Sequence, residues 1–188
     1  GTFQVGAGFS SQESFIATAQ IAQENFLGRG QSIALSLQLS KIRQMLQLRF
    51  AEPYFLDTRW TFSVNAFNLE TEHPSYTRAS TGGDITLGHP ITDRIRLYLT
   101  YALEFVRSDS NNLIGFGRAN DALLNNSGRI SSLQGSVTYD TRDNRLFPTK
   151  GMLHSTSAEY STPFLGSSEN RAFQRYRATA RFYHQLVW

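Results

Sequence analysis

Any chemistry in this chain has to come from a thin set of residues. Its four histidines, His73, His89, His154 and His184, are scattered, and it has no cysteine. Zinc and redox metals need three or four His, Cys or carboxylate ligands at short, recognisable spacings, and none occurs. No G-x-S-x-G elbow, P-loop or H-E-x-x-H helix is present. A Ser/His/Asp site fails on parity: His154 shares a strand face with Met152 and Tyr160, and His184 with Phe182, which places both histidines at lipid-boundary positions. The sequence therefore predicts no catalytic residue, no metal site and no cofactor. Two charged groupings remain. Arg175, Arg177 and Arg181 fall on alternate positions of one segment, and Asp140, Arg142 and Asp143 precede Pro148 and Gly151.

The net charge of +3 invites a nucleic-acid reading. Lys41 and Lys150 are the only lysines, however, and the arginines recur singly, so no grouped cations exist to follow a phosphate backbone. Nucleic acid is not expected as a partner.

The elements that carry these residues read as strands from end to end. Ile33, Leu35, Leu37 and Leu39 fall on one face, against Ser32, Ala34, Ser36, Gln38 and Ser40. Leu46, Leu48 and Phe50 oppose Arg43, Gln47 and Arg49, and Ile95, Leu97, Leu99, Tyr101, Leu103 and Phe105 oppose Arg96, Thr100 and Glu104. Period two of this length is strand alternation; a helix would mix both faces. Strands are predicted at 2–9, 14–24, 31–40, 43–51, 59–69, 76–88, 94–106, 130–140, 152–161 and 172–186.

Several of these exceed the five or six residues of an ordinary strand and are long enough to cross a bilayer when tilted. No run of eighteen apolar residues offers a transmembrane helix, and the mean hydropathy of -0.34 is what alternation gives. The connections at 25–30, 53–57, 89–93 and 141–150 are compact and rich in Gly, Pro, Asp and Asn. Those at 70–75, 107–128 and 163–170 read as longer polar loops, an asymmetry expected of an outer-membrane barrel.

The polar faces sharpen the reading. Arginine facing lipid near the midplane costs about 2–4 kcal/mol, so Arg175, Arg177 and Arg181 belong in a wet lumen. Asp84, Glu104, Glu24 and Glu159 are their expected partners. Phe26, Tyr54, Phe55, Trp60, Tyr139 and Phe147 gather near the compact turns, as an interfacial girdle would. The fold class is thus all-β: an antiparallel transmembrane meander of about ten strands. The rival is a soluble β-sandwich.

At the turns the sequence resembles a known family. Tyr139-Asp-Thr-Arg-Asp-Asn-Arg-Leu-Phe-Pro-Thr-Lys-Gly151 is similar to a turn motif of the BamA-like outer-membrane assembly factors, and 25–30 and 52–60 resemble earlier turns of that family. The physics of the motif stands apart from the likeness. Asp140 and Asp143 can accept backbone N–H groups, Arg142 and Arg145 can pair with them, Pro148 fixes φ and Gly151 can take φ > 0.

The resemblance implies a sixteen-stranded barrel in the bacterial outer membrane that folds and inserts other barrel proteins. It implies that the short first strand, Phe3, Gln4, Val5, Gly6, Ala7, Gly8 and Phe9, offers its edge to incoming strands. The implied partners are the lipid bilayer, unfolded outer-membrane proteins and assembly-machine lipoproteins.

Residues 1–188 are read as one barrel domain. They are expected to form its N-terminal strands, with the family's POTRA domains and about six later strands outside them. Two alternatives stay open: a small self-closed structural barrel, and a passive pore. Because free edges in a bilayer are costly, closure of the first strand on the last, or a homodimer by edge pairing, is expected over an open sheet. Gly6 and Gly8 either weaken the first strand or relieve crowding at a bend. Leu186 and Trp188 resemble the end of an outer-membrane strand.

Overall fold

The computed structural model describes residues 1–11, 13–74, 76–110 and 127–185. They form ten strands: β1 (Thr2–Ser10), β2 (Ser14–Phe26), β3 (Gln31–Ser40), β4 (Arg43–Glu52), β5 (Thr61–Glu72), β6 (Tyr76–Pro90), β7 (Ile95–Ser110), β8 (Gly128–Asp140), β9 (Gly151–Ser161) and β10 (Phe173–Tyr183). Each pairs antiparallel with the next, giving one sheet in the order β1 to β10. The predicted meander is present strand for strand. Leu186, Trp188 and most of the 107–128 connection lie outside the described residues.

Register sorts the side chains as the alternation dictates. Phe3 faces Ile21, Ile21 faces Leu35, and Leu35 faces Leu48, so one apolar surface runs across β1 to β4. It continues through Val64, Ile85, Tyr101 and Leu133. Leu35, Leu37, Leu46, Leu48, Leu97 and Leu99 are all exposed, and Leu103 is half-buried. Among the described residues Val106 is the one buried large apolar side chain, and the fully buried ones are Ser131 and Ser161. A sandwich would bury one apolar face in a dry core. Among the described residues no second layer covers this sheet, and its apolar face is the one that meets lipid.

Aromatic rings band both ends of that surface. Trp60 packs on His89 at 4.5 Å and Phe55 stacks on Phe62 at 4.9 Å beside the compact turns. His154 meets the edge of Phe182 at 5.2 Å on the same rim, the boundary position its parity implied. At the opposite rim Phe9 faces Phe15, and the Tyr160 and Tyr176 rings meet edge-on at 5.7 Å.

Two expectations are corrected. The sheet is open: β1 pairs only with β2 and β10 only with β9, so the chain does not close into a ten-stranded barrel. Curvature and closure are set jointly by strand number and stagger, and this sheet follows β1 to β10 without bringing its ends into register. The loop asymmetry also fails in the first half. Lys41 and Ile42 alone join β3 to β4, whereas residues 53–60 on the compact side form a longer excursion.

Within β6 the wall tightens at a glycine pair. A Cβ on Gly82 would lie 2.4 Å from the Leu103 carbonyl oxygen, and one on Gly83 would lie 2.6 Å from that of Asn65. Neighbouring backbones approach here as only glycine permits. The doublet in the middle of a long alternating segment is the signal for this, and the sequence reading passed over it.

Candidate functional site

Three features carry the candidate chemistry: the edge of β1, the edge of β10, and the 140–151 turn behind β10. On β1, the seven residues Phe3 to Phe9 are all exposed. Phe3, Val5, Ala7 and Phe9 lie on the lipid side and Gln4, Gly6 and Gly8 on the lumen side, in register with Ile21, Ala19, Ala17, Phe15, Gln20, Thr18 and Ile16. Side-chain support across this seam is slight: Thr18 Oγ1 donates to the Gly6 carbonyl at 3.4 Å. A Cβ on Gly8 would meet nothing within 4 Å, and one on Gly6 would meet only the Thr18 hydroxyl. Crowding therefore does not demand these glycines. They leave the strand light.

The seam of β10 is different. Arg175 Nη1 sits 3.2 Å from Glu159 Oε2, and its guanidinium lies 5.0 Å from the Phe173 ring centroid. Tyr160 and Tyr176 share a hydroxyl hydrogen bond of 2.7 Å. Arg175, Arg177 and Arg181 share the lumen side, opposite Glu159, Ser157 and Leu153.

The other expected partners are spent elsewhere. Asp84 accepts from Asn65 Nδ2 at 2.9 Å, and Asn65 Oδ1 accepts from Gln47 at 2.8 Å. Glu104 lies 3.8 Å from Arg78 and accepts from the Ser80 hydroxyl. Glu24 lies on β2, far along the sheet order. Cross-strand contacts reach about 5 Å, so only a carboxylate on β9 can serve β10.

The turn from β8 to β9 is held as a small framework. Asp140 receives Arg142 through Nε and Nη2, each at 2.9 Å, in a bidentate pair. Arg145 comes to 3.7 Å of the same carboxylate, so both arginines share Asp140. Asp143, expected to accept backbone N–H groups and to pair with arginine, does the first: its Oδ1 accepts the N–H groups of Thr149 at 3.0 Å and Lys150 at 3.1 Å. The Thr149 hydroxyl, which also donates to this carboxylate, and the backbone bonds favour the anion and hold the Asp143 carboxyl well below the usual aspartate range. Asn144 Oδ1 accepts the Leu146 N–H at 2.8 Å.

Gly151 has φ +108, and a Cβ there would stand 2.3 Å from the Thr141 carbonyl oxygen, so no other residue fits. Pro148 lies between the Asn144 cap and the Thr149 hydroxyl, which donates to Asp143.

Sequence reasoning missed a second brace. The segment after β9, residues 162–172, lies along the part of β8 that β9 does not reach. Ser168 N–H donates to the Arg129 carbonyl at 2.8 Å, and Ser131 N–H donates to Ser167 Oγ at 2.8 Å. Ser167 Oγ in turn contacts Ser161 Oγ at 2.7 Å. Side-chain hydroxyls thus satisfy backbone groups that a strand would otherwise take. A serine pair before a polar segment was the only signal.

Among the described residues no cluster of three or more His, Cys, Asp or Glu is arranged to hold a metal.

The comparisons with known proteins agree with this geometry. The family described as the Omp85 superfamily domain matches residues 25–188. The outer membrane protein assembly factor BamA of Neisseria meningitidis serogroup B is 23% identical over the whole of this chain, which spans 24% of that protein. BamA of Neorickettsia risticii is 25% identical over 56% of this chain and 15% of its own length. The crystal structure of BamA from Haemophilus ducreyi lacking POTRA domains 1–3 shares the fold, with a TM-score of 0.63 and 22% identity over 88% of this chain and 34% of that one. The chain therefore spans a quarter or less of the curated relatives it matches.

Proposed function

The chain belongs to the Omp85 superfamily, and we propose that it forms the barrel segment of an outer-membrane protein assembly factor, with the free edge of β1 as the template for incoming strands. Its place is the bacterial outer membrane, as for the BamA proteins it resembles. The observation that carries the reading is the β1 seam: a strand exposed from Thr2 to Phe9, paired on one side, with the long Thr18–Gly6 hydrogen bond across that pairing.

The physics is that of strand addition. An edge strand presents a row of backbone N–H and C=O groups, each costing several kcal/mol if left unsatisfied in hydrocarbon. An incoming strand of an unfolded barrel protein carries the same unmet groups, so pairing relieves both. Release then requires an exchange of like hydrogen bonds, which is close to neutral when few side chains grip. Phe3, Val5, Ala7 and Phe9 offer the client an apolar side, and Gln4, Gly6 and Gly8 a smooth neutral one. The 140–151 turn, with Arg142 held on Asp140, joins β8 to β9 at the far side of the wall as part of the frame. Assembly lipoproteins are the further partners that this reading adds.

The test places a photoreactive residue at Val5 or at Ala178, in turn, in the membrane-embedded protein during folding of an unfolded barrel client. Crosslinks to the client concentrated at Val5 support the reading. Client crosslinks absent from β1, in a protein whose strands resist protease, overturn it.

A further inference from the structure

The strand arginines divide unequally between the two sides of the sheet. Arg43, Arg49, Arg78, Arg96 and the arginines of β10 fall on the polar side. Arg107 of β7 and Arg129 of β8 fall on the apolar side, in line with Leu103 and Phe105 and with Leu133. Both are exposed. Their height makes this tolerable. A strand rises about 3.3 Å per residue and barrel strands tilt by about 35–45°. From Ile95 to Phe105 the wall therefore climbs about 25 Å, the height of an outer-membrane apolar band. Arg129, opposite Phe105, stands at the border of that band, and Arg107 one row beyond it. The 107–128 and 163–170 connections leave from this end. Longer loops of outer-membrane barrels face the cell exterior, so this rim lies in the outer leaflet.

Arg129 is fixed from three directions. Its N–H donates to Ser168 Oγ at 2.9 Å, and its carbonyl accepts the Ser168 N–H at 2.8 Å. Its Nε donates to the Gly166 carbonyl. These contacts orient the guanidinium without neutralising it. Glu70 and Asp109 share this side of the rim, yet among the described residues neither Arg107 nor Arg129 forms an ion pair. Apolar surface lies beside the cations: Phe105 is 51% exposed, and Phe164, on the segment that holds Arg129, is 97% exposed.

We propose that Arg129, with Arg107 beside it, binds the phosphate headgroup of an anionic lipid in the outer leaflet, whose acyl chains lie against Phe105 and Phe164. A guanidinium held through Nε keeps its two Nη groups for a bidentate contact with phosphate oxygens. Arg107 is the diagonal neighbour of Arg129, and such pairs stand about 7–8 Å apart, a span that one phosphate bridges between two long side chains. A zwitterionic headgroup carries its own cation and is attracted less. The site is made by β7, β8 and the 162–168 segment inside the sheet, and it does not depend on templating by β1.

The experiment places the protein in phosphatidylcholine nanodiscs doped with lipid A that carries its phosphates, or with lipid A from which they have been removed. Native mass spectrometry counts the lipid A molecules retained as the protein leaves the disc. The phosphorylated form should be retained over the dephosphorylated one on the order of tenfold, and R107Q/R129Q should abolish that preference. R129Q alone should remove most of it, and serves where the double variant does not refold. R177Q/R181Q takes the same charge from the polar side and should leave the preference intact. Equal retention of the two lipids, a preference unchanged by R107Q/R129Q or R129Q, or one lost as fully in R177Q/R181Q would each overturn the proposal.

Discussion

The first and last seams of this sheet are the same kind of object, an edge strand paired on one side, yet they are built to opposite ends. Across β1 and β2 the structure holds nine register pairs and the long Thr18–Gly6 hydrogen bond. Across β9 and β10 it holds an ion pair, a tyrosine–tyrosine hydrogen bond and a His154–Phe182 contact. The flanking turn and the 162–172 segment brace that end further. Backbone pairing is common to both, so the side chains make the difference between the two seams.

The comparison breaks first if the faces are assigned the wrong way round. Leu99→Arg should destabilise the folded protein by about 2–4 kcal/mol in vesicles, because it sets a cation in hydrocarbon. Arg177→Leu, on the lumen side, should cost less than about 1 kcal/mol. Urea titration of both variants in lipid reads the pair; equal losses would erase the distinction of faces. The second strike falls on the brace behind β10. Gly151→Ala forces a left-handed residue and a clash with Thr141, a strain of about 1–3 kcal/mol. Protease nicking should appear in 140–151 and the β10 seam should loosen toward β1.

How far the sequence foretold this contrast follows from the range of the interactions involved. Alternation is local, so the ten strands, the faces of Leu35 and Leu99, and the shared face of Arg175, Arg177 and Arg181 were all legible. The 140–151 turn was legible as a turn, since Gly151 and Asp143 act on backbone within a few residues. Which arginine meets which carboxylate was not, because register and strand adjacency decide it; Asp84 went to Asn65, and Glu104 to Arg78 and Ser80. Neither the open edges nor the Ser131–Ser161–Ser167 cluster could be read, since both depend on how non-neighbouring segments meet.

Smaller changes sharpen the comparison. Gly8→Val should strengthen the light seam by up to about 1 kcal/mol, since valine suits a strand and the site has open space. Slower uptake of client strands, read as crosslinking rate at Val5, should accompany the gain in urea resistance. The smallest effect is that of pH on the turn. The folded-state Asp143 carboxyl is held low, so its contribution is full above the unfolded aspartate value of about 3.9. It is lost as pH falls through the lower folded value. Asp143→Asn should therefore raise amide exchange at Thr149 and Lys150 at neutral pH, and the difference from wild type should vanish at strongly acid pH.

The central claim, that β1 is the seam made to open, is tested most directly by residue-resolved amide exchange of the protein in nanodiscs, comparing β1 with β10. The account predicts that Gln4 to Gly8 exchange at least about tenfold faster than Arg175 to Ala180, in keeping with a local opening free energy lower by about 1.4 kcal/mol. Equal protection of the two strands, or slower exchange in β1, would contradict it.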